Sequence, residues 1–349
     1  MSETSRISDI KKPTIAIVIP NKNDSQFLSD CLTSVIRQTV QPDEIIFVDD
    51  YSSDNSVEIA RLLLRGIRGA TIITNSLCRG TMGALNQGLE HASCDYIMFL
   101  SSNDYIFDNI VEEAKNSIAR NGSPGIWSAL ICVADETARV KSVYPSPVVS
   151  IREQFFSPND CNNLALKVGN WLNGTTMIYQ REALKAINGF NTNYQGLADF
   201  LSGLTVASLR GAVFFPRPLG IMRVHAGGVL WRTLNNSKNL DRILDEVELN
   251  RYNYAPKLFT NEFTRRMRRR IYFSAFKKTG LVPNIDSQQT LFNKGVRLMK
   301  SFAILLGHRN LLSLIFAFFL LVPFDLWSVI RYRIIGWILL KNSNQIAKK

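Results

Sequence analysis

Through the first hundred residues, short apolar runs alternate with amphipathic stretches. Residues 14–19 (TIAIVI) form a β-branched run closed by Pro20, which predicts a buried strand. Beyond it Phe27, Leu28, Cys31, Leu32, Val35 and Ile36 recur along one helical face, with Asp24 or Ser25 placed to cap the helix. Residues 44–48 predict a second strand ending in Asp49 and Asp50, 57–64 a helix, 71–74 a short strand and 81–92 a further helix. The run Tyr96 to Leu100 then predicts a buried strand that stops abruptly in Ser101, Ser102, Asn103 and Asp104. Alternation with linkers this short argues a parallel sheet covered by helices, whose ligands bind beyond the carboxyl ends of the strands.

Past Asp108 the rhythm loosens. Residues 110–119 read as helix and 126–133 as strand, whereas 145–163, with three prolines, read as irregular. Residues 175–179 predict a strand, 181–187 a helix, 199–210 a helix ending before Gly211, and 212–215 a strand running into Pro216 and Pro218.

The last hundred residues change character. From Asn250 onward 18 Lys and Arg stand against three acids, so the net charge of +12 belongs wholly to this part of the 349-residue chain. Arg265, Arg266, Arg268, Arg269 and Arg270 form a dense cluster, followed by apolar runs at 311–324 and 334–340. A bilayer-spanning helix needs about 20 apolar residues, and the first run has 14 before Asp325. With Trp327, Tyr332 and Trp337 at the polar edges, the pattern fits segments lying on an anionic membrane surface or re-entering it. Nucleic acid is a poor match, because phosphate binding has no use for apolar runs this dense. The N-terminus is polar and shows no apolar secretory signal. Five cysteines without CxxC pairing read as reduced core thiols.

Four motifs then appear in order: IVIPNKND at 17–24, IIFVDDYSSDNS at 45–56, RGTMGALNQGLEHA at 79–92 and DYIMFLSSND at 95–104. The set resembles the family-2 inverting glycosyltransferases of the GT-A fold, including bacterial polysaccharide and O-antigen type enzymes, whose pattern runs IPxYN, VDDxSxD, RGxxxAxNxGxxxA and FLDxDD. The resemblance implies an α/β fold, a mixed sheet flanked by helices over residues 1–235, followed by a mainly helical, basic, membrane-associating region over 236–349. It implies transfer of a sugar from a nucleotide-diphosphate donor, most often UDP-linked, to a hydroxyl of a glycan or lipid-linked acceptor. The tail adds an expected location at the cytoplasmic face of the membrane.

By the same resemblance Pro20, Asn21, Asn23, Asp50, Arg79 and Ser102 bind the donor. Asn103, Asp104 and His225 would hold Mg²⁺ or Mn²⁺, although Asn103 stands where the family has an acid, and an amide oxygen binds a cation more weakly. Arg223 is a further cation near the diphosphate. Asn173, Gly174 and Thr175 lie on the acceptor side. Asp199, in GLADF where the family has Glu-Asp, is the expected general base. The missing acids at Ser101, Asn103 and Ala198 keep an alternative open, a catalytically degenerate protein that binds nucleotide or glycan.

Overall fold

The structure, a computed structural model, describes residues 12–144, 146–224, 233, 236–249 and 255–279. β1 (Ile15–Asn21) is buried on both faces. Ile15, Ile17 and Ile19 pack with Leu28, Leu32 and Val35 of α1 (Ser25–Ile36). Ala16 and Val18 face the opposite side, toward Leu85 and Leu89 of α3 (Gly80–His91). This period-two division of one strand between two apolar layers sets the three-layer architecture. Gly88 is required by the packing of α3 on β1: a Cβ there would collide with Val18 Cγ1.

β1 pairs in parallel with β2 (Glu44–Asp49) on one side and with β4 (Tyr96–Phe99) on the other. β3 (Ala70–Thr74) lies beyond β2, and α2 (Ser56–Leu63) connects that pair. Beyond these four strands the sheet is not uniformly parallel. The full order is β3-β2-β1-β4-β9-β6-β10-β5. Here β5 is Tyr105–Ile106, β6 Ile126–Ala134, β9 Ile178–Gln180 and β10 Ala212–Arg223. β9 runs antiparallel to both β4 and β6, so the sheet is mixed. β7 (Val140–Val143) pairs with β6, and β8 (Gln154–Phe156) with β10. The elements α4 (Ile110–Arg120), α5 (Pro158–Val168), α6 (Arg181–Ala186) and α7 (Ala198–Arg210) complete the domain.

Three local expectations change. Residues 145–163 are not wholly irregular: β8 and the start of α5 fall within them, and α5 opens on a Ser157–Asp160 capping box with Pro158 in the first turn. Residues 174–176 form a 3₁₀ turn before β9 starts at Ile178. β10 does not stop at Pro216 but continues to Arg223, its register shifting around Pro218 so that the prolines sit at irregularities of the ladder.

Two helices beyond residue 235 pack on the sheet domain. On α8 (Ser237–Leu249) Leu240, Ile243, Leu244 and Val247 are buried, as are Phe263, Met267 and Ile271 of α9 (Asn261–Thr279), and all join the core cluster of the sheet domain. The arginine cluster explains the docking. Arg266 and Arg270 donate to the carbonyls of Ala165, Leu166 and Lys167, which end α5. Arg268 pairs with Asp245 and Glu248 of α8. Cations at a helix C-terminus complement its dipole and its unsatisfied carbonyls. Arg265 and Arg269 are exposed. No helix among the described residues is long and apolar enough to cross a membrane; the apolar runs at 311–340 lie outside the described residues.

Candidate active site

The exits of β1 and β2 are stitched together by polar side chains. Asn21, buried at the end of β1, donates through Nδ2 to Asp49 Oδ1 at 2.8 Å and to Ser52 Oγ at 3.1 Å. Asn23 has φ 55°, its N–H donates to Ser52 Oγ, and its Oδ1 accepts from the Ser53 N–H. Pro20 is a buried strand residue in register with Val48 rather than part of an open loop.

Asp50 is 2 % exposed and its carboxylate is engaged on both sides. Oδ1 accepts from the Arg79 N–H at 2.7 Å and from Asn75 Nδ2 at 3.2 Å; Oδ2 accepts from the Gly80 N–H at 2.8 Å and from the Cys78 thiol at 3.1 Å. Burial pulls the carboxyl pKa upward, yet these donors outweigh it and hold the group below the ordinary carboxylate range. Asp50 therefore ties the 75–80 loop to the exit of β2. The expected contact to a nucleotide base would have to share a carboxylate that already accepts four hydrogen bonds. Asn75 and Cys78 carried no motif signal, since only the folded loop brings them to Asp50. The Arg79 guanidinium has no hydrogen bond or ion pair among the described residues.

The exit of β4 differs most from expectation. Ser102 is 1 % exposed and its hydroxyl donates to Asp24 Oδ2 at 2.7 Å, so it faces the interior and not a donor. Asp24 holds Ser102 instead of capping α1, where no side-chain cap bond forms. Asp104 is also buried: Oδ1 accepts from the Arg223 N–H and Oδ2 from the Thr175 hydroxyl, each at 2.9 Å. Burial pushes its pKa up to about 7, against the lowering effect of these donors and of the Arg223 charge. Arg223 is 3 % exposed, pairs with Asp30 at 2.6 Å and lies against the rings of Phe27 and Tyr105. It is a structural cation, not a diphosphate ligand.

Asn103 keeps its amide busy as well, accepting from Ser101 Oγ and donating to the Arg223 carbonyl. With Asp104 turned inward and Asn103 Oδ1 engaged, the described residues do not fit a divalent cation, and they contain no cluster of three or more His, Cys, Asp or Glu side chains able to hold one. His225 lies outside the described residues.

On the other side of the sheet, Asn173 is 2 % exposed, with its N–H on Ser128 Oγ and its Nδ2 on the Ala129 carbonyl. Asn173 and Thr175 thus hold the turn in place and do not face an acceptor. Gly174 is the member that lies against Asp199: a Cβ there would come within 2.9 Å of Asp199 Oδ2. Asp199 is half-buried in the first turn of α7, whose N-cap is Leu197. Its Oδ1 accepts from the Phe200 N–H at 2.7 Å, and Oδ2 accepts no hydrogen bond among the described residues. Burial raises its pKa above the ordinary value, with backbone N–H groups offsetting part of the rise. A carboxylate of raised pKa with one oxygen unspent is suited to take a proton.

Four residues before Asp199, Gln195 lines a cleft of about 560 Å³ together with Arg79, Thr81, Thr192, Asn236 and Asn239. Amides, hydroxyls and one cation are the chemistry that hydrogen-bonds sugar hydroxyls and phosphate. Gln195 has φ 46° and ψ −127°, and its Oε1 accepts from Asn239 Nδ2 at 2.6 Å. Strain of this kind gathers at functional sites. Gln195 and Asn239 carried no motif signal, since only the fold brings them together.

A mixed sheet flanked by helices, with polar strand exits on one half and Asp199 at the head of α7 on the other, is the architecture of GT-A structures. Residues 16–187 match the model for glycosyl transferase family 2. Those residues carry a family-2 glycosyltransferase domain, and the chain is a glycosyltransferase. An uncharacterized glycosyltransferase of Haemophilus influenzae is 28 % identical over 192 residues, covering 55 % of this chain and 72 % of the relative. Residues 1–349 of S. aureus TarS, solved in complex with UDP-GlcNAc, share the fold with a TM-score of 0.59 at 15 % identity, over 81 % of this chain and 78 % of that one. The mannosyltransferase PcManGT of Pyrobaculum calidifontis, solved with GDP-Man and Mn²⁺, has a TM-score of 0.54 at 16 % identity, over 99 % and 93 % of the two chains.

Proposed function

We propose that this glycosyltransferase moves a sugar, with inversion, from a UDP-linked donor to a hydroxyl of a glycan or lipid-linked glycan. The observation that carries the reading is Asp199: half-buried, raised in pKa, with no partner on Oδ2 among the described residues and a glycine opposite it. In the step, the acceptor hydroxyl gives its proton to Asp199 as its oxygen bonds to the anomeric carbon. The bond from that carbon to the diphosphate oxygen breaks, and the nucleoside diphosphate leaves with the electron pair. Arg79, at the cleft, is the side chain that meets the diphosphate charge. The TarS and PcManGT complexes with nucleotide sugars support a donor of this class. The PcManGT complex also supports divalent-metal use within the fold, but the described strand-exit residues of this chain supply no ligand set for it.

The site works at the cytoplasmic face of a membrane, with the basic, apolar segment beyond residue 279 lying on or re-entering an anionic surface. Screening UDP- and GDP-sugars for transfer to lipid-linked glycan extracts tests the activity, and nucleotide binding without turnover of any donor would establish the degenerate alternative. Because α9 is docked through Ile271, the membrane reading is tested by ending the chain after Thr279. The shortened protein is expected in the soluble fraction, and its retention on membranes would place the anchor elsewhere.

A further inference from the structure

Tyr51 follows Asp50 with φ 64°, a conformation that disfavours bulky L-residues and favours glycine. The residue is nevertheless 59 % exposed, so burial does not repay the strain. Among the described residues no aromatic ring packs on it. What fixes it is Lys22, whose ammonium donates to the carbonyls of Asp50 at 3.0 Å and Tyr51 at 3.3 Å and lies 5.8 Å from the Tyr51 ring centroid. With Lys22 at one face, the other is left to a ligand. Across the Asp50 carboxylate, the loop that clasps it carries a second exposed apolar side chain, Leu77, at 60 %. A strained backbone pinned by Lys22 and an exposed ring coincide at the nucleotide-side strand exits.

We infer that Tyr51 is the stacking platform for the planar base of a nucleoside diphosphate, an inference that rests on the donor reading above. A π-face suits any base, so the platform supplies affinity, while the polar atoms around it supply choice of base. It also gives the strand exit a means of holding the nucleotide while both oxygens of Asp50 remain bound to the 75–80 loop.

The test is calorimetric titration of the full-length protein with UDP, GDP and inorganic pyrophosphate, comparing wild type, Tyr51→Phe and Tyr51→Gly. Tyr51→Phe keeps the π-face and is expected to bind UDP and GDP within about twofold of wild type. Tyr51→Gly is expected to lose about 5- to 150-fold for both nucleotides, to keep its pyrophosphate affinity, and to melt at a higher temperature without ligand because glycine accepts the positive φ. Unchanged UDP binding in Tyr51→Gly overturns the platform alone, as does an equal loss for pyrophosphate. Wild-type protein that binds pyrophosphate but neither UDP nor GDP overturns the donor reading and the platform with it.

Discussion

The β4 exit and the head of α7 each present a carboxylate that burial has pushed up in pKa, and the two do different work. Asp104 spends one oxygen on the Arg223 N–H and the other on Thr175, joining β10, the 3₁₀ turn and the β4–β5 corner. Asp199 spends one oxygen on a neighbouring N–H and holds the other beside Gly174, where only hydrogen leaves room for it. The lesson is that a raised pKa marks burial, and the hydrogen bonds each oxygen already accepts separate a carboxylate held by the fold from one able to take a proton. Substitutions at the two carboxylates should part stability from activity.

The largest effect is expected at the α7 head. Asp199→Asn removes the base with little change in shape and should lower the transfer rate by about 10²- to 10⁴-fold while nucleotide affinity and melting temperature stay near wild type. Its pH profile carries a signature. The base must be ionised, and its pKa is raised, so the acid limb of kcat/KM should lie above the ordinary carboxylate value of about 3.9 and vanish in Asp199→Asn. Equal rates in both proteins would remove Asp199 from the mechanism.

At the β4 exit the expected loss is in folding. Asp104→Ala leaves the Arg223 N–H and the Thr175 hydroxyl unpaired in the interior. It should cost about 2–4 kcal/mol in urea unfolding with the slope unchanged. The sign of the pH effect follows from the upward shift to about 7. The folded state holds this proton longer than the unfolded state, so the contribution is fully present below pH about 4 and is lost as pH rises toward 7. Asp104→Asn cannot titrate and should flatten that part of the stability profile. A profile parallel to wild type would show that Asp104 ionises as an exposed acid does.

A smaller effect is expected where the α7 head meets the acceptor-side turn. Gly174→Ala sets a methyl group 2.9 Å from the Asp199 Oδ2 position and must displace it. Misplacing a reacting group by a fraction of an ångström should lower kcat by about tenfold, with a melting temperature close to wild type. An unchanged kcat would show that Asp199 has room to move, weakening the contrast with Asp104.

How much of this was legible from the chain depends on the range of the interactions involved. β1, β2 and β4 could be read because a strand buried on both faces is an uninterrupted apolar run, and α1 because its apolar positions repeat locally. β9 and β10 set the mixed direction of the sheet, and nothing in Ile178–Gln180 announces that it will run antiparallel to β4. The start of α5 is written locally, since Ser157, Pro158 and Asp160 form a cap signature among the prolines of an otherwise irregular stretch. At the site, motif order located Asp50 and Asp199 but could not show which oxygens were spent. Ser102, Asn103 and Asp104 are bound to Asp24, Arg223 and Thr175, partners 71 to 120 residues away. Likewise the arginines that read as a membrane patch include three that dock α9, because their carbonyl and carboxylate partners lie far off in sequence.

The smallest expected effect tests whether the β4 exit lost its acid or has been rebuilt around an amide. Asn103 donates from Nδ2 to the Arg223 carbonyl at 3.2 Å, a bond that aspartate cannot make. Asn103→Asp therefore replaces a donor with an acceptor facing another acceptor, and should cost about 1 kcal/mol in urea unfolding. One added carboxylate beside an inward-facing Asp104 still falls short of the ligand set a divalent cation needs. Millimolar Mn²⁺ should thus shift the melting temperature of Asn103→Asp no more than that of wild type. A rise of several degrees in the variant alone would show that the exit regains a cation on one substitution, and that its inward-bonded state is a consequence of the amide and not of the surrounding fold.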